Sequence, residues 1–336
     1  MAGSPDFPKA RLHVVTGKGG TGKSTVAAAL ALALATHGKN VLLCEVEGRQ
    51  GIARMFDVDP LPYAERRVAT GLPAADGARG GVVHALHIDP ESALMEYLSM
   101  YYKLGRAGRA LDRFGVVEFA TTIAPGVRDV LLTGKVYEAT QRNARNKGAI
   151  EYDAVVLDAP PTGRIAQFLG VNSELSGLAK VGPVKSQADK VMRLLTSDQT
   201  VVHLVTVLEE MPVQETVDGI ADLRTHGLPV GGVVVNLVRP RELGDKALTA
   251  VRKGKVDTAA VTADLKRAGL DADDALVDGL LAEARDHAER RALEDEQHAV
   301  VAGLDVPTYE LPRLTAGIDL GALYELAGML RDQGMA

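Results

Sequence analysis

Apolar residues in this chain gather into short unbroken runs, separated by longer stretches of mixed polarity. That is the pattern of buried parallel strands alternating with helices. The runs Leu12 to Val15, Val41 to Val46, Val82 to Ile88, Tyr152 to Asp158, Val201 to Leu208, Gly232 to Asn236 and Val306 to Leu311 read as strands. Helices are predicted over Val26 to Ala35, Glu91 to Tyr102, Val127 to Arg145, Val171 to Ser197 (interrupted at Gly182-Pro183), Val213 to His226, Ala275 to Val301 and Leu320 to Asp332. Gly38 is placed to cap the first helix, so residues 12–46 form a βαβ unit. The alternation predicts an α/β fold with a mostly parallel central sheet flanked by helices.

Residues 1–10 read as a loose tail and 11–336 as a single domain, with helical insertions at about 90–150 and 171–198. Residues 57–81 carry Pro and Gly and read as loop or short helix. Tyr97, Met100, Tyr101, Leu104, Phe114 and Phe119 concentrate large apolar groups in the first insertion, and read as helix–helix core. From Pro240 to Gly303 charged residues and Ala alternate as in a solvated amphipathic layer.

Composition narrows the class. The 336 residues are 46% apolar and 24% charged, a balance able to bury a substantial core. A net charge of −6 sets up no global field for nucleic acid. The one cysteine, Cys44, excludes an internal disulfide, a Cys₄ zinc site and a self-contained iron–sulfur cluster, so neither zinc nor such a cluster is expected. With no signal sequence and no apolar stretch of membrane-spanning length, the expectation is a cytoplasmic protein, reaching a membrane only through a partner.

The chemistry concentrates in Gly17-Lys18-Gly19-Gly20-Thr21-Gly22-Lys23-Ser24-Thr25, set between a predicted strand and a predicted helix. Glycines let the backbone curl until its N–H groups converge, and the helix start adds partial positive charge. Lys23 would reach the β- and γ-phosphates of a nucleotide, and the Ser24 hydroxyl would ligate Mg²⁺. Asp158 ends a hydrophobic strand, where a carboxylate faces that Mg²⁺ from its outer shell, through a metal-bound water. Ala159 to Arg164 then forms a constrained turn whose Gly163 can sense a γ-phosphate.

Lys18 directly after the first glycine resembles the deviant Walker A loop of the ArsA, MinD, ParA and nitrogenase-iron-protein group, within the SIMIBI class of P-loop NTPases. Taken with Asp158-Ala159-Pro160-Pro161-Thr162-Gly163-Arg164 and the strand ending in Asn236, the whole chain resembles the ArsA family. The run Thr121 to Lys135 resembles most its actinobacterial branch, the paired ArsA-like ATPases of mycobacteria. The resemblance implies a dimeric, Mg-dependent ATPase whose helical subdomain moves with nucleotide state. It implies that Lys18 contacts nucleotide across the dimer, that Asn236 recognises adenine, and that Pro312 and Arg313 belong to the loop covering the base.

Three departures qualify that implication. The family's switch I reads Asp-Pro-Ala-His, with a water-orienting aspartate seven residues on. Here the register gives Glu47-Gly48-Arg49-Gln50, and the later position is Arg54, which cannot act as a base. Glu45, Glu47 or Asp57 substitutes, or a partner supplies the group, or hydrolysis is slow. The zinc-binding Cys-x-x-Cys of the tail-anchor targeting ATPase and the arsenic-binding cysteines of the arsenite pumps are both absent. The expected function is therefore a nucleotide-switch ATPase acting on a protein or membrane client, as a homodimer or with a paralogue. A nucleotide-binding regulatory subunit and a MinD- or ParA-like positioning ATPase are the alternatives.

Overall fold

A computed structural model describes residues 6–48, 50–73, 77–102, 125–143, 148–178, 183–315 and 317–336. Eight strands form one sheet: β1 (Leu12–Gly17), β2 (Asn40–Glu45), β3 (Arg66–Thr70), β4 (Val82–His87), β5 (Ala154–Asp158), β6 (Thr200–Thr206), β7 (Val230–Val238) and β8 (Thr308–Pro312). Their order is β3-β4-β2-β5-β1-β6-β7-β8, and every pairing is parallel except β3 with β4. Seven of the strands coincide with the apolar runs, because parallel strands covered on both faces are apolar on both faces. The eighth, β3, lies in the stretch expected to be loop. Its arginines sit on a half-exposed edge strand, so no buried run announces it.

Helices cover both faces. On one side lie α1 (Lys23–Leu34), the short α2 (Gly51–Met55) and the final α11 (Leu320–Asp332). Val26 to Ala33 are all buried, and α1 is apolar all round because it is clamped between the sheet and α11. Its alanines permit that close approach. The other face carries α3 (Pro90–Tyr102), α4 (Pro125–Thr140), α5 (Thr162–Leu178), α6 (Pro183–Leu195) and α7 (Glu210–Thr225). Leu132, Phe168 and Val191 join Leu12, Val14 and Leu157 in its core. Outside these, α8 (Asp245–Arg252), α9 (Thr258–Arg267) and the long α10 (Asp274–Ala302) precede β8.

Several boundaries differ from expectation. Helix α5 starts at Thr162, so the constrained turn is only Ala159 to Pro161, and Gly163 lies inside the helix. Two prolines cannot donate to a preceding turn but can precede a helix, and Arg164 N–H closes the first turn on the Pro161 carbonyl at 2.9 Å. Pro183, by contrast, opens α6 at the interruption the sequence marked at Gly182-Pro183.

The segment expected as a loose tail is anchored from Asp6 onward. The Tyr309 hydroxyl donates to Asp6 Oδ2 at 2.5 Å, and Phe7 meets the His203 ring edge-on at 5.0 Å between centroids. His203 in turn stacks on His13 in the neighbouring strand, with Nδ1 of His13 3.2 Å from Nε2 of His203. Residues 1–5, Leu104, Phe114 and Phe119 lie outside the described residues. Among the described residues, no helix is long and apolar enough to cross a membrane.

Candidate functional site

Parallel strands deliver all their C-terminal ends to one edge. At that edge β1 separates strands that continue the sheet in opposite directions, the crevice where open α/β sheets bind ligands. The glycine loop fills it. A Cβ at Gly17 would overlap the Val205 carbonyl, and Gly22, at φ 87°, leaves no room between itself and the Asn236 amide. The loop is closed from within by Thr21, whose buried hydroxyl donates to the Lys18 carbonyl at 2.8 Å. Asn236, buried in β7 two residues before its end, donates from Nδ2 to the Thr21 carbonyl at 2.9 Å. Its contact here is with the loop.

Helix α1 begins at Lys23 with Gly22 as its N-cap. No side chain caps it, and its first turn holds no acid. The partial positive charge of that terminus is left for an external anion. Below it, the Ser24 hydroxyl donates to Asp158 Oδ2 at 2.5 Å. Asp158 is 6% exposed, and its Oδ1 is buried without a hydrogen-bond partner. Burial pushes the carboxyl up to about 6; the Ser24 hydroxyl and Lys23 hold it down, while Glu45 and Glu47 push it further up. A hard divalent cation fits this donor set, since a hydroxyl and an unpartnered carboxylate oxygen are typical Mg²⁺ ligands. Thr162 contributes an unpartnered buried hydroxyl at the start of α5. Thr16 fastens the turn before it by donating to the Pro160 carbonyl at 2.7 Å.

The three acids expected as substitutes for the carboxylate missing at Arg54 separate by burial. Arg54 itself is exposed on α2, Asp57 is exposed just beyond it, and Glu47 is half-buried. Glu45 is 2% exposed and accepts the Gly51 N–H through Oε1 at 2.8 Å. Gln50 caps α2 in a left-handed conformation at φ 53°. Its side-chain amide donates to the Leu61 carbonyl at 3.1 Å and accepts the Leu61 N–H at 2.8 Å. The residues after β2 are thereby tied to the chain that leads to β3. Two further contacts join this edge to α4: Arg128 donates to the Val46 carbonyl at 3.4 Å, and Arg164 pairs with Asp129 at 3.6 Å.

Lys18 reaches across to α7. Its Nζ lies 3.1 Å from Glu215 Oε1 on α7, an ion pair within the same chain. Beside the loop opens a cavity of about 690 Å³, lined in part by Lys18, Gly20, Met211, Leu237 and Arg313. Leu237 is held at φ 59° with its side chain 42% exposed. The Arg313 N–H bonds the Val238 carbonyl at 2.9 Å. Pro312 ends β8 and pairs with Val238 in the sheet. Gly19 and Thr25 complete the loop and first turn, the Thr25 hydroxyl donating to the Met55 sulfur at 3.6 Å. Gly163 leaves open space where a Cβ would stand. Cys44 is buried, and burial pushes its thiol up to about 12, far from a reactive thiolate. Among the described residues, no group of three or more His, Cys, Asp and Glu is arranged to hold a metal.

Sequence reasoning did not single out Gln50 as a clamp, Thr162 as an unpartnered hydroxyl, or Glu215 as a partner for Lys18. These depend on contacts between segments distant along the chain.

Residues 10–198 match the family described as anion-transporting ATPase, ArsA. The chain is 54% identical over 325 residues to the ATPase BagA of Mycobacterium tuberculosis, covering 97% of this chain and 94% of that protein. It is 25% identical over 256 residues to the ATPase GET3 of Kluyveromyces lactis, covering 66% of this chain and 70% of that protein.

Proposed function

From the premise that this chain belongs to the ArsA ATPase family, we propose that it is a Mg-ATP-dependent nucleotide switch that hydrolyses ATP as part of a dimer. The observation that carries the reading is the Ser24–Asp158 pair, with one buried carboxylate oxygen unpartnered, beneath a helix start that is uncapped and free of acid. The loop amides and Lys23 bind the phosphates. Ser24, with Asp158 acting through water, would hold Mg²⁺, which would supply positive charge against the phosphates. Asn236 fixes the loop, and the cavity beside it takes the nucleoside, with Arg313 at its rim.

Lys18 exchanges its bond to Glu215 for the nucleotide of a second subunit, either a copy of this chain or a paralogue. Loss of the γ-phosphate releases Glu47, Gln50 and Gly51 and the start of α5. Gln50, Arg128 and Arg164 pass that change to β3 and α4, altering the surface offered to a protein or membrane client. Arsenite is not the client, because the one thiol is buried and inert. The exposed Arg54 supports a second reading, an ATP-binding subunit whose hydrolysis a paralogue completes.

Limited proteolysis tests the switch. Mg-ATP should change cleavage between Asp158 and Phe168 in the wild type but not in Lys23→Ala. An identical pattern with and without Mg-ATP in the wild type would contradict it.

A further inference from the structure

Asp158 and Glu45 end the adjacent strands β5 and β2 and face each other in direct register. They are 6% and 2% exposed, so neither carboxylate is solvated. Each uses one oxygen on a fixed donor. Asp158 Oδ2 accepts the Ser24 hydroxyl at 2.5 Å, and Glu45 Oε1 accepts the Gly51 amide at 2.8 Å. The other oxygen of each, Oδ1 and Oε2, is buried and has no hydrogen-bond partner.

A single buried acceptor left unmade is already unfavourable. Two on neighbouring carboxylates add like-charge repulsion in a poorly screened interior. The imidazole Nδ1 of His87 lies 3.8 Å from Glu45 Oε2, beyond hydrogen-bond reach, and is itself without a partner. The pair therefore calls for a cation that both free oxygens can share, directly or through its bound water.

We propose that Glu45 joins Ser24 and Asp158 in a two-carboxylate site for a divalent cation of the Mg²⁺ class, filled before nucleotide arrives. The inference rests on the reading of Ser24 and Asp158 as the metal end of the ATP site. It goes further in giving the cation a ligand from β2 and in removing its dependence on phosphate. Mg²⁺ takes one or two carboxylates and keeps several of its waters; here those waters stand where phosphate oxygens would later enter, and two negative charges match the ion's own. Because Glu45 also holds the Gly51 amide, the bound cation fixes the start of α2.

The test uses the full chain free of nucleotide, titrated with Mn²⁺ and read by the electron paramagnetic resonance of free Mn²⁺. The expected result is one Mn²⁺ per chain, displaced by Mg²⁺. Glu45→Gln keeps an acceptor for Gly51 and should weaken Mn²⁺ binding about tenfold to a hundredfold. Binding of a fluorescent ATP analogue with Mg²⁺ is followed in the same preparations. No Mn²⁺ binding by the wild type without nucleotide, or equal affinity in a folded Glu45→Gln, would overturn the proposal. If the analogue still binds, the ATP-site reading survives that result. Mn²⁺ binding that depends on Glu45, in a chain that takes no nucleotide, would uphold the metal site and overturn the ATP reading.

Discussion

Replacing Asp158 by Asn should stabilise the empty protein while destroying its response to Mg-ATP. The carboxyl is raised from 3.8 to about 6, chiefly by burial. A group whose folded value is raised binds more protons folded than unfolded between those two values. Its favourable contribution is complete below about pH 4 and is lost as the pH rises through 6. At ~1.4 kcal/mol per unit, the ionised carboxylate at pH 7.5 costs about 3 kcal/mol relative to its protonated form. Asn has the same shape and can still accept the Ser24 hydroxyl, so the substitution removes the charge and keeps that bond. For a chain of 336 residues, about 3 kcal/mol corresponds to a rise of about 4 °C in melting temperature. Differential scanning calorimetry in chelator should show this rise at pH 7.5 and almost none near pH 4. At a hundredfold excess over its dissociation constant, Mg-ATP should add about 2.7 kcal/mol to the wild type and nothing to the variant. A variant less stable than the wild type at pH 7.5 without metal, or a gain independent of pH, would refute the reasoning.

Acid should act on His13 with the opposite sign. Burial lowers it from 6.5 to about 4, so its contribution is complete above pH 6.5 and is lost as the pH falls toward 4, by about 2 kcal/mol at pH 5. Urea denaturation at pH 7 and pH 5 should show that His13→Gln lacks this part of the acid sensitivity; an unaltered slope would speak against a neutral buried imidazole. Glu215→Gln removes the partner of Lys18 and should lower the ATP concentration needed for dimerisation. Light scattering should register a shift of up to about fivefold, the range of a partly exposed ion pair. A shift toward higher concentration would mean that Glu215 assists the lysine.

The sheet was legible in the chain wherever strands are covered on both faces, because burial there demands unbroken apolar runs such as Val41 to Cys44 and Val155 to Leu157. Strand β3 escaped because an edge strand with Arg66 and Arg67 carries no such signal. The phosphate loop was legible because its glycines are local requirements: Gly22 needs its left-handed backbone within the motif itself. The partner of each loop residue was not. Only the register of β2 with β5 brings Glu45 beside Asp158, and only the packing of α7 brings Glu215 to Lys18. Local pattern records what a residue must do for its own element, and the tertiary fold decides whom it meets. The aromatic stretch around Phe114 lies outside the described residues, so its reading as helix–helix core stands as an expectation.

Mg-ATP turnover by the purified chain, with oligomeric state recorded in the same samples, tests the central claim most directly. The account predicts phosphate release that needs Mg²⁺, accompanies dimer formation and disappears in Lys23→Ala. ATP binding that ignores Mg²⁺, or turnover that survives loss of Lys23, would contradict it.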